Sequence, residues 1–484
     1  MSKTTTPGKR IGRLFRWLRR SIKIILLVIL SGGVIYGGAW LIYYWINAAD
    51  YRALPVMEVP QSKRTLVIAP HNDDEVLTNS ILIKRLIDQG ADVQFAIITN
   101  GDGFTPDIML SSKKLVLRSS DYIRLGMLRQ METLDGLSLL NVPPENIRFL
   151  GYPDRGCLEI FQYHWDAKVP YFDPWTQSTS VPYPNSYGDM PSLTGENILR
   201  DLYRVLEEVR PDLILMPHPA DQNVDHAALN ALMQFALSEL DMDGVPQILF
   251  LTHHALNTWP RQGYPPNAGP YLLPPRDMRA MDDTDWQVLP TTAEDRQLAS
   301  QIIGQYKSQL VVDNAYLHSF IRENQLFATR NRPALIQGRR ADAQIEPLDE
   351  NRLLLGLPAT ALGRITGRER VEGVYGEVSN EGTLHLMMRL SKPLQPHVMH
   401  RFHLMLGDGR GGVTQSKIIV RNGKIYENGG ALNFALVQAE GSLIHISIPY
   451  SAFANVKTFL ISASICENES IINQSVWQSV ELPT

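Results

Sequence analysis

His71 and Asp74 stand three positions apart, and an imidazole and a carboxylate are side chains that hold a divalent metal. Asp73 lies between them, placed to take up a proton and give it back. Much further along, Asp225-His226 offers a second imidazole. A catalytic zinc site takes three protein ligands and keeps a fourth position for water. His71, Asp74 and His226 supply two nitrogens and one oxygen, enough for one zinc per chain. Such a set is suited to cutting an amide, because zinc acidifies water and polarises a carbonyl. Asp73 is then the base that accepts the water's proton and passes it to the leaving amine. Asp225, beside a ligand, can orient a neighbouring histidine. Plainer roles compete: a lone histidine usually belongs to surface or core, and Asp73 suits the N-cap of a helix.

Both clusters follow apolar runs that read as buried strands. Residues 65–69 form the first run, and residues 76–89 read as the helix after it. Residues 212–216 form the second, which passes through Pro217-His218-Pro219 to His226 and a helix over 227–240. A strand-end imidazole and acids in a helix's first turn converge in the crevice outside the strand ends. The rest of this region alternates in the same way. Strands are expected at 92–99, 147–150 and 248–252, and helices at 120–140, 195–209 and 295–309. That alternation predicts an α/β fold, a mostly parallel sheet with helices on both faces. Residues 158–193 lack a period but carry Phe161, Tyr163, Trp165, Tyr171, Phe172, Trp175, Tyr183 and Tyr187. They read as a packed flap beside the site whose rings suit a sugar, with ordinary core packing as the alternative.

A chain of 484 residues is long for one domain. Residues 1–23 carry eight Lys and Arg and no acid, and residues 24–46 then run without a charge. At about 1.5 Å per residue those 23 positions span a bilayer core. Trp40, Tyr43, Tyr44 and Trp45 sit where an aromatic belt belongs. The sequence therefore predicts a basic cytoplasmic tail (1–23), a transmembrane anchor (24–46) and a polar tether (47–63). By the positive-inside rule, all that follows is extracytoplasmic, periplasmic or at the cell surface. A cleaved signal peptide would have a shorter apolar run. Gly33 and Gly37 are spaced to let two such helices pack, which allows a homo-oligomer. The α/β domain covers 64–330, a mixed linker 331–370 and a small β domain 371–484. In the last, short alternating runs dominate, and Asn422-Gly423 marks a type I′ hairpin, which suggests a β-sandwich. A net charge of −4 gives no footprint for nucleic acid. Two cysteines, Cys157 and Cys466, exclude a disulfide framework and read as unpaired apolar residues.

Pro70-His71-Asn72-Asp73-Asp74-Glu75 resembles the (P/A)-H-P-D-D-E signature of the PIG-L / LmbE-like N-acetylglucosaminyl deacetylases. Further blocks resemble the family's in the same order: Ile97-Ile-Thr-Asn-Gly101, Arg129-x-x-Glu132 running to Leu140-Asn-Val142, Gly151-Tyr-Pro-Asp154, Thr194-Gly195-Glu196-Asn197, Pro217-His218-Pro219 and Asp225-His226. Tyr306-Lys-Ser308-Gln309 and Phe320 to Phe327 resemble its closing helix and tail. The resemblance spans about residues 64–327. It implies a Rossmann-like fold and a zinc hydrolase that removes the N-acetyl group of an N-acetylglucosamine-type sugar. It also implies that His71, Asp74 and His226 bind zinc, that Asp73 is the base, and that Arg129 and Asp154 contact substrate. Asn72 replaces a proline that supplies no ligand. Asn223 replaces the histidine that opens the family's H-x-D-H and helps stabilise the oxyanion. Its amide can still donate, and His218, His253 or His254 can stand in for the imidazole.

The expectation is thus a membrane-anchored de-N-acetylase whose partner is an acetylated amino sugar in an envelope glycan, glycolipid or polysaccharide. Alternatives are a glycan-binding protein on a degenerate scaffold, favoured by Asn223, and another zinc amidohydrolase.

Overall fold

A computed structural model describes residues 7–112, 116–255, 257–261, 269–279, 283–338, 352–356, 369–428, 436–467 and 470–483. The helices are α1 (Pro7–Arg52), α2 (Asp74–Leu77), α3 (Ser80–Asp88), α4 (Thr105–Ser112), α5 (Ser119–Ser138), α6 (Cys157–Tyr163), α7 (Gly195–Val209), α8 (Val224–Glu239), α9 (Ala293–Ile303) and α10 (Lys307–Leu317). The strands of the first domain are β1 (Arg64–Ala69), β2 (Asp92–Thr99), β3 (Ile147–Tyr152), β4 (Leu213–Pro217), β5 (Gln247–Phe250), β6 (Thr284–Pro290) and β7 (Asn324–Arg330).

These seven strands form one sheet in the order β3-β2-β1-β4-β5-β7-β6. The first five are parallel, as the alternation predicts. Strands β6 and β7 add an antiparallel edge that the sequence reading did not contain. The order turns round between β1 and β4, so the loops after these two strands part and leave a crevice. His71 follows one strand and His226 the other. Leu66, Val67, Ile68, Ile214 and Leu215 are all fully buried, since both faces of the sheet are covered.

Several expected elements differ. The helix expected over 76–89 is two, α2 and α3, broken at Thr78-Asn79, where Asn79 Nδ2 donates to the Asp74 carbonyl. The one expected over 295–309 is also two, α9 and α10, broken at Gly304. The expected tether is helical through Arg52 and stitched to the domain. Asn47 is buried and exchanges hydrogen bonds with the Tyr271 backbone at 3.0 and 3.1 Å. Tyr51 stacks on Tyr271 at 3.9 Å, and Met57 N donates to Val288 O. Residues 24–30 of α1 are exposed apolar side chains with no partner surface among the described residues, and α1 is long and apolar enough to cross a membrane.

The remaining strands are β8 (Ile336–Gly338), β9 (Leu353–Gly356), β10 (Val371–Ser379), β11 (Thr383–Leu390), β12 (Val398–Gly407), β13 (Val413–Arg421), β14 (Lys424–Asn428), β15 (Leu436–Glu440), β16 (Leu443–Pro449), β17 (Thr458–Glu467), β18 (Ser470–Gln474) and β19 (Gln478–Val480). They make two six-stranded sheets, β15-β16-β11-β10-β8 with β9 on β10, and β14-β13-β12-β17-β18 with β19 on β17. Inward residues such as Leu386, Phe402, Ile446 and Phe459 form their shared core. Asn422 and Gly423 have φ of 49° and 68°, the two positive values that join β13 to β14. The expected linker contains β8 and β9, both paired with β10, while its residues 339–351 and 357–368 lie outside the described residues. So do residues 1–6 of the basic tail. Cys157 and Cys466 are both free and buried.

The two folded parts share a seam. Glu239 at the end of α8 accepts from Gly409 N at 2.9 Å and from Thr458 Oγ1 at 2.6 Å. Met405, Leu460 and Trp477 join the core of the first domain.

Candidate metal centre

Three side chains meet in the crevice. His71 Nδ1 and His226 Nε2 each lie 3.0 Å from Asp74 Oδ2, and the two nitrogens are 3.3 Å apart. All three residues are buried. If both imidazoles donate to the carboxylate, their N–H groups face each other across 3.3 Å, a crowding that a shared cation relieves. A tetrahedral ion with bonds of about 2.0–2.2 Å holds its ligand atoms roughly 3.3 Å apart, which is the spacing of the triangle. Asp74 Oδ1 is also buried without a hydrogen-bond partner. The residues present therefore fit a zinc ion.

Carboxylates hold both imidazoles from behind. His71 Nε2 lies 3.2 Å from Asp225 Oδ2 and 3.3 Å from Asp154 Oδ1. Asp225 is itself fixed by the Arg155 and Cys157 backbone amides, at 2.6 and 3.0 Å. His226 Nδ1 lies 3.2 Å from Asp221 Oδ2, which accepts from Thr252 N and His253 N. Burial opposes a charge on either ring, yet the surrounding carboxylates outweigh it. They raise His226 to about 9 and His71 well above the ordinary imidazole range. Burial likewise pushes Asp154 up, but the His71 contact pulls it down to about 2. A site so rich in negative charge calls for a cation.

Asp73 opens α2 at φ 136°, a strained backbone for a residue with a side chain. Its carboxylate makes no capping hydrogen bond, so the helix-cap role is not the one it plays. Instead it faces a cavity of ≈ 480 Å³ beside the triangle. Burial first, and then the Asp74 carboxylate, push its pKa well above the usual carboxylate range, against the pull of Arg129 at 3.8 Å. Glu75 holds this turn: its Oε2 accepts from Asp73 N at 2.7 Å, and its Oε1 accepts from Tyr306 at 2.6 Å and Thr133 at 3.1 Å. Burial pushes the Glu75 carboxyl up to about 7. Glu75→Ala would strand three buried donors, each at about 1–3 kcal/mol. Urea unfolding should show a loss of about 3 kcal/mol or more, and Glu75→Gln a smaller one.

The other expected site residues also line the cavity. Arg129 donates to the carbonyls of Gly101 and Asn72, both at 2.8 Å. Gly101 has φ +59°, a left-handed backbone that favours glycine, and a Cβ there would meet the Arg129 guanidinium at 2.1 Å. Asp154 lines the wall opposite. Asn223 caps α8, its Oδ1 accepting from Asp225 N at 2.9 Å, which leaves its Nδ2 donor for the cavity.

Of the three histidines offered as stand-ins, His218 is far from this role. It stacks on Trp286, accepts from Ala220 N, and does not line the cavity. His254 lines the cavity but pairs with Asp277 at 3.0 Å. His253 belongs to the cluster: one of its nitrogens lies within 4.8 Å of the triangle's three atoms. Tyr316 and Asn257 contact its Nδ1 at 3.2 and 3.0 Å, so Nε2 is the nitrogen left to reach inward. Tyr316 and Asp221 escaped the sequence reading, although Asp221 sits within the Pro217–His226 stretch. The aromatic insertion is a correction. None of residues 158–193 lines the cavity; Phe161 and Tyr183 are core, and the Tyr183 hydroxyl donates to Asp102.

Comparison with curated proteins finds no match. Among solved structures, the chain is similar to a deacetylase triple mutant of the teicoplanin biosynthetic pathway, at 16% identity and a TM-score of 0.36, over 55% of this chain and 98% of that one. It is similar to N,N'-diacetylchitobiose deacetylase from Pyrococcus horikoshii, at 18% and 0.34, over 56% and 84%. It is also similar to a 4-carboxy-2-hydroxymuconate hydratase from Pseudomonas putida, at 13% and 0.34, over 56% and 97%. The family model of GlcNAc-PI de-N-acetylase, PIG-L, matches residues 66–237, the segment that contains every side chain of the triangle, and this segment is a PIG-L domain.

Proposed function

We propose that the chain is a membrane-anchored, zinc-dependent deacetylase that hydrolyses the N-acetyl group of an N-acetylglucosamine-type sugar. The observation that carries this is the buried triangle of His71, Asp74 and His226 with the Asp73 carboxylate at the adjoining cavity. The PIG-L match supplies the substrate class. When bound, zinc supplies Lewis acidity, which acidifies water toward neutrality and polarises an amide carbonyl. His71, Asp74 and His226 hold it, and Asp225 and Asp221 fix the two imidazoles in place. Asp73 takes the proton from water and returns it to the departing amine. Asn223 Nδ2 donates a hydrogen bond to the oxygen of the acetyl group as charge gathers there, while His253, whose Nδ1–H donates to Asn257 Oδ1, turns a bare Nε2 toward the cluster. Arg129 and Asp154 position the sugar.

The anchor reading rests on α1. A helix whose last turns are buried against Tyr271 and paired with Arg279 is part of the folded chain, which supports retention over cleavage. Eight cationic residues before the apolar run, and no acid, orient the rest of the chain outward.

Acetate release from N-acetylglucosamine oligosaccharides, with metal analysis of the same sample, tests this. Bound zinc with no acetate released from any acetylated glycan would overturn it. Asn223→Ala should lower turnover about 10²-fold at unchanged zinc content, as loss of an oxyanion donor does. Loss of zinc instead would make Asn223 a residue that only positions the start of the His226 helix.

A further inference from the structure

We propose that the crevice end of the PIG-L domain docks on the bilayer that α1 crosses, with apolar side chains of α4 and α10 set into the headgroup layer. This rests on the reading of α1 as an anchor. Where α1 joins the domain decides which end faces the lipid. Strand β7 runs antiparallel to β5, so its first residue, Asn324, stands where the parallel strands finish. Asn324 Oδ1 accepts from Leu272 N at 2.9 Å, and the preceding residue, Tyr271, bonds Asn47. A Cβ on Gly269 would meet the Asn47 side chain at 2.3 Å, so loop and helix are in direct contact. Helix α1 therefore meets the domain at the end of the sheet that holds His71 and His226. From there the chain runs on to Pro55 and Met57, which bond Val288, below the Pro290 end of β6. Followed backward, the rod leaves the domain on the crevice side.

The join leaves no room for a stalk. The charge-free run ends at Ile46, and the next residue, Asn47, is already buried in the domain. Headgroups add roughly 5–7 Å on each side of the hydrocarbon. One residue of helix advances only about 1.5 Å. An edge that begins at Asn47 thus lies within the headgroup layer.

What this edge exposes suits such surroundings. Gln309, Asp313, Tyr316 and Leu317 of α10 line the cavity, and Val311, about 200° round the helix from Gln309, points the other way. Helix α4 begins just past Phe104 in the cavity wall, packs on α10 and exposes Met109 and Leu110. Val311 and Leu110 are 55% and 56% exposed. Helices that lie in a membrane interface turn apolar side chains of this kind to the boundary between headgroups and acyl chains. Arg276, exposed and near Tyr43, is placed on the same rim for a lipid phosphate.

Depth measurement in a bilayer tests this. The variants Leu110→Cys, Val311→Cys, Ile29→Cys within α1, and Glu145→Cys before β3 at the opposite end of the sheet are spin-labelled in the full-length protein and reconstituted in phosphatidylcholine vesicles. Cys157 and Cys466 are buried, so the label goes to the introduced thiol. Oxygen concentrates in the bilayer and a nickel chelate in water, so the ratio of their collision rates with each nitroxide reads depth. That ratio should be several-fold higher at Leu110, Val311 and Ile29 than at Glu145. If Ile29 reads the bilayer while Leu110 or Val311 reads like Glu145, the docking is overturned and the anchor stands. If Ile29 also reads like Glu145, both are overturned. Low collision rates with both reagents at Leu110 and Val311 would mean that a second protein covers this face, which overturns the proposal as well.

Discussion

Asp73→Asn should cut acetate release by about 10²–10⁴-fold while leaving bound zinc unchanged. Asparagine has the same shape, so the turn that Glu75 holds through the residue 73 backbone amide is preserved. What it loses is the capacity to accept a proton. Asp73 also stands in a crowd of negative charge, and burial and Asp74 both disfavour its ionised form. An uncharged amide relieves that repulsion, so the variant should unfold at the same temperature as the parent or slightly higher. Activity lost with stability kept separates a base from a structural carboxylate. A variant that retains full activity would mean that the proton goes elsewhere. Purified protein, a coupled acetate assay and calorimetric melting give all three readings.

Removal of the metal should be nearly as damaging, and to the fold as well as the activity. Without a cation, the two imidazoles of the His71–Asp74–His226 triangle crowd one carboxylate oxygen, and carboxylates press on them from Asp154, Asp221 and Asp225. An ion that binds the folded chain alone adds about 4 kcal/mol when free zinc is 1,000 times its dissociation constant. Chelation should therefore lower the melting temperature and abolish turnover, and added zinc should restore both. The same treatment of Asp74→Ala should shift nothing, since that chain has already lost its ion. Equal melting curves with and without chelator in the parent would show that these side chains do not hold a metal.

Much of this site is legible in the sequence because its residues lie where the pattern changes. His71 and Asp74 end one apolar run and His226 follows another, so period and polarity alone put all three just beyond buried strands. Arg129 is marked by the family resemblance instead, because the period of its helix does not say which polar residue faces the site. What the pattern hides is contact between loops. Asp221 and His253 come together because Thr252 and His253 donate their amides to Asp221, a pairing across distant chain segments that no local spacing records. The break between α2 and α3 has a local signal, the run of cap formers Thr78-Asn79-Ser80, but hydrophobic residues on either side continue the helical period across it. Strand β6 is half exposed along one face, and its place on the sheet is settled by β7, far along the chain. The aromatic insertion misleads because ring content alone does not distinguish rings that pack inward from rings that face a cavity.

The join at Asn47 and Tyr271 has a mechanical consequence. A leash of loose residues would let an enzyme sweep a broad volume around its point of attachment. Here the rod runs unbroken into the globule, so the two tilt together and the mouth of the pocket works at one fixed height. With α1 as the proposed anchor, such a protein would act as a post that waits for its substrate to drift past, and stretching or thinning the bilayer beneath it would lift or lower its reach.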